Sequence, residues 1–151
     1  MCKSLSEVTK LVGETVTIAG FVHSIRNQGK IAFLRVRDIS GSIQVVTGAW
    51  NKEVFESIID LSVESVVEIV GLLKESKQVP EGVEIDASSI IIQSLAQPLP
   101  IPVVSEKGAE EVDVTKRFDY RWLDLRKPDS QKIFQVWTVL EQGIREYFSQ
   151  N

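Results

Sequence analysis

Five side chains in the first third of the chain have the chemistry to hold an unpaired base. Phe21 and His23 stand two residues apart, Phe33 and Arg35 two apart, and Gln44 follows. An aromatic face stacks on a base, worth roughly 1–3 kcal/mol for each base held. A carboxamide offers both a donor and an acceptor to a base edge. A guanidinium neutralises phosphate or stacks on a ring. Each residue also admits a plainer reading. Phe33 could cover a minor core beneath a helix, His23 could be an ordinary surface histidine, and Arg35 with Arg37 could be a solvated strand face.

The elements around these residues decide whether they meet. Residues 16–26 are rich in β-formers, Asn27-Gln28-Gly29-Lys30 is turn chemistry, and residues 31–38 alternate as a second strand. Ser40-Gly41 makes the next turn, and residues 42–47 read as a third strand. The period then changes: Val54, Phe55, Ile58, Ile59 and Leu61 fall on one helical face. Residues 65–74 and 83–93 return to strand, separated by Pro80-Glu81-Gly82. Three strands, a helix and two strands is the order of an OB-fold, a small all-β barrel of five strands with a helix between the third and fourth. Another small barrel or sandwich with one helix fits the same pattern. Alternate strand residues face opposite sides. If Val16, Ile18, Val22, Ala32, Leu34, Val36, Ile43 and Val45 fill the barrel, then Phe21, His23, Phe33, Arg35 and Gln44 share its outer face.

After the barrel the composition shifts. Residues 97–104 hold three prolines within five positions, which favours an extended, stiff segment. Residues 105–113 are acidic and polar, as a mobile connector would be. Residues 130–150 carry a helical stripe of Ile133, Trp137, Leu140, Ile144 and Phe148, with Asp129 or Ser130 as the expected N-cap. The expected organisation is a barrel over residues 1–96, a proline-rich and acidic hinge over 97–114, and a helical extension over 115–151.

Charge is segregated along the chain. The formal net charge is −4, which alone argues weakly against a nucleic-acid partner. Residues 1–50, however, hold six Lys and Arg against three Asp and Glu, whereas residues 51–114 hold four against thirteen. That split fits a basic face beside an acidic flank, and equally a solvated surface with chance segregation. The one cysteine, Cys2, rules out an intramolecular disulfide and fits a reducing, cytosolic compartment. No stretch approaches the roughly 20 apolar residues of a membrane helix.

Several stretches carry a family resemblance. Gly20-Phe21-Val22-His23-Ser24-Ile25-Arg26, then residues 29–38 and Ile43-Gln44-Val45-Val46, resemble the anticodon-binding barrel of class II tRNA synthetases for Asp, Asn and Lys. Arg117-Phe118-Asp119-Tyr120-Arg121-Trp122-Leu123-Asp124-Leu125-Arg126-Lys127-Pro128 is similar to the connector into the catalytic domain of aspartyl-tRNA synthetases, and residues 94–100 resemble the archaeal and eukaryotic type. The resemblance implies that Phe33 stacks on the central anticodon base, a uridine, and that Gln44 reads its edge. It implies contacts from Phe21, His23 and Arg26 to neighbouring nucleotides. It also implies contacts from Lys77 and Glu84 in or beside the loop of residues 75–84. Two positions depart from the family: Phe21 stands where Trp is common, and Pro80-Glu81-Gly82 where Pro-Gly-Gly is.

The implied partner is the anticodon loop of tRNA, with no membrane. The implied parent is an aspartate-tRNA ligase that uses ATP and magnesium and forms a homodimer. The chain itself is expected to hold neither catalytic residues nor a cofactor, to end before the first catalytic motif is complete, and to be an expressed piece that is monomeric. The apolar stripe of residues 133–148, with no further domain to cover it, points the same way. Three alternatives stand beside this reading. One is an asparaginyl- or lysyl-tRNA synthetase, one a free-standing binder of single-stranded nucleic acid, and one a protein-interaction domain working through the terminal helix.

Overall fold

The computed structural model describes residues 4–104 and 112–150, so the connector expected at 105–113 lies outside the described residues except for its last two positions. The chain divides into two compact units, Met1–Pro98 and Leu99–Asn151.

The first unit opens with a short helix, α1 (Leu5–Val8), which the periodicity did not reveal because one turn carries no period. Five strands follow: β1 (Thr15–Gln28), β2 (Ile31–Arg37), β3 (Ser42–Gly48), β4 (Val66–Glu75) and β5 (Val83–Ser94), with helix α2 (Lys52–Ile59) between β3 and β4. They close into a barrel in the order β1-β2-β3-β5-β4, with a parallel β3–β5 pairing and antiparallel pairings elsewhere. This is the all-β OB-fold order expected from the sequence.

Strand β1 serves two neighbours. Its first half pairs with β4 and its second half with β2, and Phe21 sits at the change, opposite both Val66 and Arg37. Gly20 stands beside that corner. A Cβ there would lie 2.5 Å from the Arg37 carbonyl oxygen and 2.8 Å from a Val36 methyl, so the corner closes only around a residue without a side chain.

The aliphatic parity set fills the barrel. Val16, Ile18, Val22, Ala32, Leu34, Val36, Ile43 and Val45 are all buried, and Val54 and Ile58 of α2 join this core with Leu61 just after the helix. Ile59, expected on that helical face, is instead 52% exposed: the helix is only two turns long and its buried stripe runs through Val54 and Ile58 alone. Asn51 caps α2, its side-chain oxygen accepting from the Val54 N–H at 3.5 Å.

The second unit holds α3 (Val114–Asp119), α4 (Arg121–Asp124) and α5 (Pro128–Gln150). Asp113 caps α3 by accepting from the Thr115 N–H at 2.8 Å. Ile101 and Val103, from the proline-rich stretch, pack with Leu123 in a small core. Helix α5 begins at Pro128, two residues before the expected start. Proline suits a first helical position because its missing N–H would have no partner there. Ser130 is therefore inside the helix and buried, not its N-cap. Beyond Ser130 the helix is exposed throughout, including the stripe Ile133, Trp137, Leu140, Ile144 and Phe148. No helix among the described residues is long and apolar enough to cross a membrane.

Candidate nucleic-acid interface

A β-bulge organises the candidate site. Val22 pairs with Val36, but the next β1 residue paired with β2 is Ser24, opposite Arg35; His23 is the extra residue. Val22 is held on its other side, its N–H donating to the Ser65 carbonyl at 2.8 Å and its carbonyl accepting from the Glu64 N–H at 2.7 Å. Past the bulge the parity of β1 reverses. Ser24, Arg26 and Gln28 now oppose Arg35, Phe33 and Ile31 and lie on the outer face. Strict alternation from Val22 would have sent Arg26 inward, so the bulge is what brings Arg26 beside Phe33.

Strand β3 extends the face. Gln44 stands opposite Arg35, and across the parallel pairing it stands opposite Glu84. The Gln44 amide nitrogen donates to the Glu84 carboxylate at 2.9 Å. That bond fixes the orientation of the carboxamide and leaves its carbonyl oxygen as an acceptor. Arg35 is held twice: its Nε donates to the Ser42 hydroxyl at 3.1 Å, and its terminal nitrogen ion-pairs with Glu81 of the β4–β5 loop. That loop seats itself through Val79, which is buried. The result is a cavity of about 410 Å³ lined by Ser24, Arg26, Gln28, Phe33, Arg35 and Gln44 from the strands, with Gln78, Val79 and Pro80 from the loop.

Phe21 and His23 form a second group beside this cavity and do not line it. The Arg37 guanidinium lies 5.5 Å from the centre of the Phe21 ring, within cation–π range, and also pairs with Glu64, which is buried. Burial lowers the His23 pKa below its ordinary value, and the positive charges of Arg37 and Arg35 lower it further against the opposing pull of Glu64. The imidazole is thus neutral at neutral pH, with one nitrogen a donor and the other an acceptor. Its Nδ1 is buried and has no hydrogen-bond partner among the described residues.

Of the residues singled out in the sequence, Arg26, Phe33, Arg35 and Gln44 therefore share one cavity, and Glu84 orients Gln44. Phe33 is half-buried and lines this cavity. Lys77 is exposed in the loop and does not line the cavity. Sequence reasoning missed Ser24 and Gln28, which the bulge turns outward, and Glu81 and Glu64, whose partners lie 46 and 27 residues away. The departure at Glu81 from the family's Pro-Gly-Gly was the one available signal for the former.

A model of the tRNA anticodon family, described as an OB-fold nucleic acid binding domain, matches residues 16–93. An aspartate–tRNA(Asp/Asn) ligase of Methanosphaera stadtmanae is 35% identical over 145 residues, covering 94% of this chain and 32% of that protein. The corresponding protein of Methanococcus maripaludis is 37% identical over 145 residues, again with 94% and 32% covered. The solved asparaginyl-tRNA synthetase of Pyrococcus horikoshii, complexed with asparaginyl-adenylate, superposes with a TM-score of 0.83 at 29% identity, over 97% of this chain and 34% of that one. The chain thus spans about a third of the length of the curated relatives it matches. The closed five-stranded order, the outward set of aromatic, guanidinium and amide groups, and the match over the whole barrel place this chain in the tRNA anticodon family of OB-fold nucleic acid binding domains.

Proposed function

We propose that this chain reads the anticodon loop of a tRNA, as the anticodon-binding part of an aspartate-tRNA ligase. The observation that carries the reading is the cavity in which Phe33, Arg35, Arg26 and Gln44 converge. A single unstacked base fits its chemistry: a ring to stack on, an amide to read an edge, and two guanidinium groups for phosphate or base. The Glu84 contact makes the amide selective. With one N–H bonded to Glu84, the Gln44 carboxamide is oriented to offer its oxygen as an acceptor, which suits the N3–H donor of uridine better than the N3 acceptor of cytidine.

The relatives' names carry both Asp and Asn, so the parent's range of tRNAs includes asparagine tRNA as a second possibility. ATP and magnesium would be handled in the part of the parent that corresponds to the remaining two thirds of the relatives.

The test is a titration of the chain with an anticodon stem-loop carrying the aspartate anticodon and with a copy whose central uridine is cytidine. The matched loop should bind more tightly by about 1–3 kcal/mol. Phe33→Ala should cost a similar amount, about the stacking energy of one base. Equal affinities for the two loops would replace the reading with a generic single-strand binder.

A further inference from the structure

The β4–β5 loop carries a carboxylate that base recognition does not need. Glu81 pairs with Arg35, and both side chains are only about a quarter exposed, at 23% and 27%. The second oxygen of Glu81 is buried without a hydrogen-bond partner among the described residues, so the group gives up hydration for this one ion pair. The loop's backbone bonds close on themselves, from the Ser76 N–H to the Gly82 carbonyl and from the Gly82 N–H to the Val79 carbonyl, each at 2.9 Å. Beside the buried Val79, Arg35–Glu81 is the polar side-chain tie from this loop to β2 among the described residues. Glu81 thereby cancels the charge of a guanidinium that lines the cavity.

We infer that Glu81 gates the cavity: it neutralises Arg35 and holds the β4–β5 loop on β2 until a nucleic-acid strand takes the guanidinium over. The inference rests on the reading of the cavity as an RNA site. A free arginine at the cavity wall would attract any polyanion. A paired one is released only to a strand that also gains from Phe33 and Gln44, so the pair works against indiscriminate binding. Taking Arg35 from Glu81 leaves a carboxylate to regain its own counterion, which offsets the counterions released from the strand.

Three variants separate gating from simple support. Glu81→Gln and Arg35→Ala both remove the ion pair, and Glu81→Ala also removes any residual amide bond to Arg35. All three should free the loop, and trypsin should cut faster after Lys77, which lies exposed in that loop. Their effects on RNA should then diverge. Glu81→Gln and Glu81→Ala should tighten binding of the matched stem-loop roughly two- to fivefold. They should also steepen its dependence on log salt by about 0.7, one phosphate contact's worth. Arg35→Ala should weaken the same binding. Parallel weakening in all three variants would make the pair a structural prop of the cavity and overturn the gate. Unchanged cleavage after Lys77 in the Glu81 variants would overturn it as well. If the wild-type chain binds neither stem-loop, the anticodon reading fails, and the cleavage rates alone then decide whether Glu81 holds the loop.

Discussion

In the barrel, nineteen buried apolar side chains, among the described residues, form one continuous core. Among the described residues of 99–150, the buried apolar cluster is Ile101, Val103 and Leu123, and beside them a carboxylate is fully enclosed. Asp124 accepts from Arg117 Nε at 2.9 Å, Arg121 at 3.1 Å and the Ser130 hydroxyl at 3.4 Å, with Lys127 at 3.4 Å. Three cations and a hydroxyl drawn from α3, α4, the turn after it and α5 converge on one side chain. The barrel is thus held by non-directional burial that tolerates conservative exchange, whereas the second unit is held by a directional knot that depends on a single group. The knot gives four of the charged residues in 117–127, Arg117, Arg121, Asp124 and Lys127, a shared structural role.

The contrast can be broken most sharply at Gly20. Gly20→Val would drive a side chain into the Arg37 carbonyl and the Val36 methyl at the corner of β1. It should destabilise the barrel by about 3 kcal/mol, read as a lowered urea midpoint by circular dichroism. Hydrogen-exchange protection in α3 and α4 should not follow it down.

Asp124→Asn should do the reverse. It removes the charge around which Arg117, Arg121 and Lys127 gather, but those cations are partly solvated, so the cost should be about 2 kcal/mol. Exchange protection of α3 and α4 should fall while the barrel amides keep theirs. Acid should reproduce this effect. The hydrogen bond from Arg117 lowers the Asp124 pKa by more than burial raises it, and the charge of Arg117 with the hydrogen bond and charge of Lys127 lowers it further. A depressed carboxyl pKa contributes stability that is complete above the ordinary value of 3.8 and is lost as pH falls through the folded value. Protection in the second unit should therefore decline below about pH 3.8 in the wild type and decline less in Asp124→Asn, where only the capping carboxylate of Asp113, also lowered by its hydrogen bonds to the start of α3, still titrates.

The smallest effect is expected at Gly143, in the exposed helix α5, where an added Cβ would meet nothing within 4 Å. Gly143→Ala should stabilise that helix by about 0.5–1 kcal/mol, seen as increased helical ellipticity on warming. Two glycine substitutions of opposite sign would show that the barrel, and not α5, is where backbone closeness limits the sequence.

The strand order, the helix between β3 and β4 and the buried face of the first three strands were legible in the sequence, because period-2 and period-3.6 patterns are local properties of the chain. The outward grouping of Phe33, Arg35 and Gln44 followed from the same alternation. What alternation could not show is the bulge at His23. A bulge is defined by the pairing of β1 with β2 and is invisible in β1 alone, yet it decides that Arg26, Ser24 and Gln28 face the cavity. Residue types and spacing thus determined which side chains could recognise a base. The closed sheet decided which of them meet, through contacts between residues far apart in the chain: Glu81 reaches Arg35, and Glu84 orients Gln44, only because β5 returns beside β3.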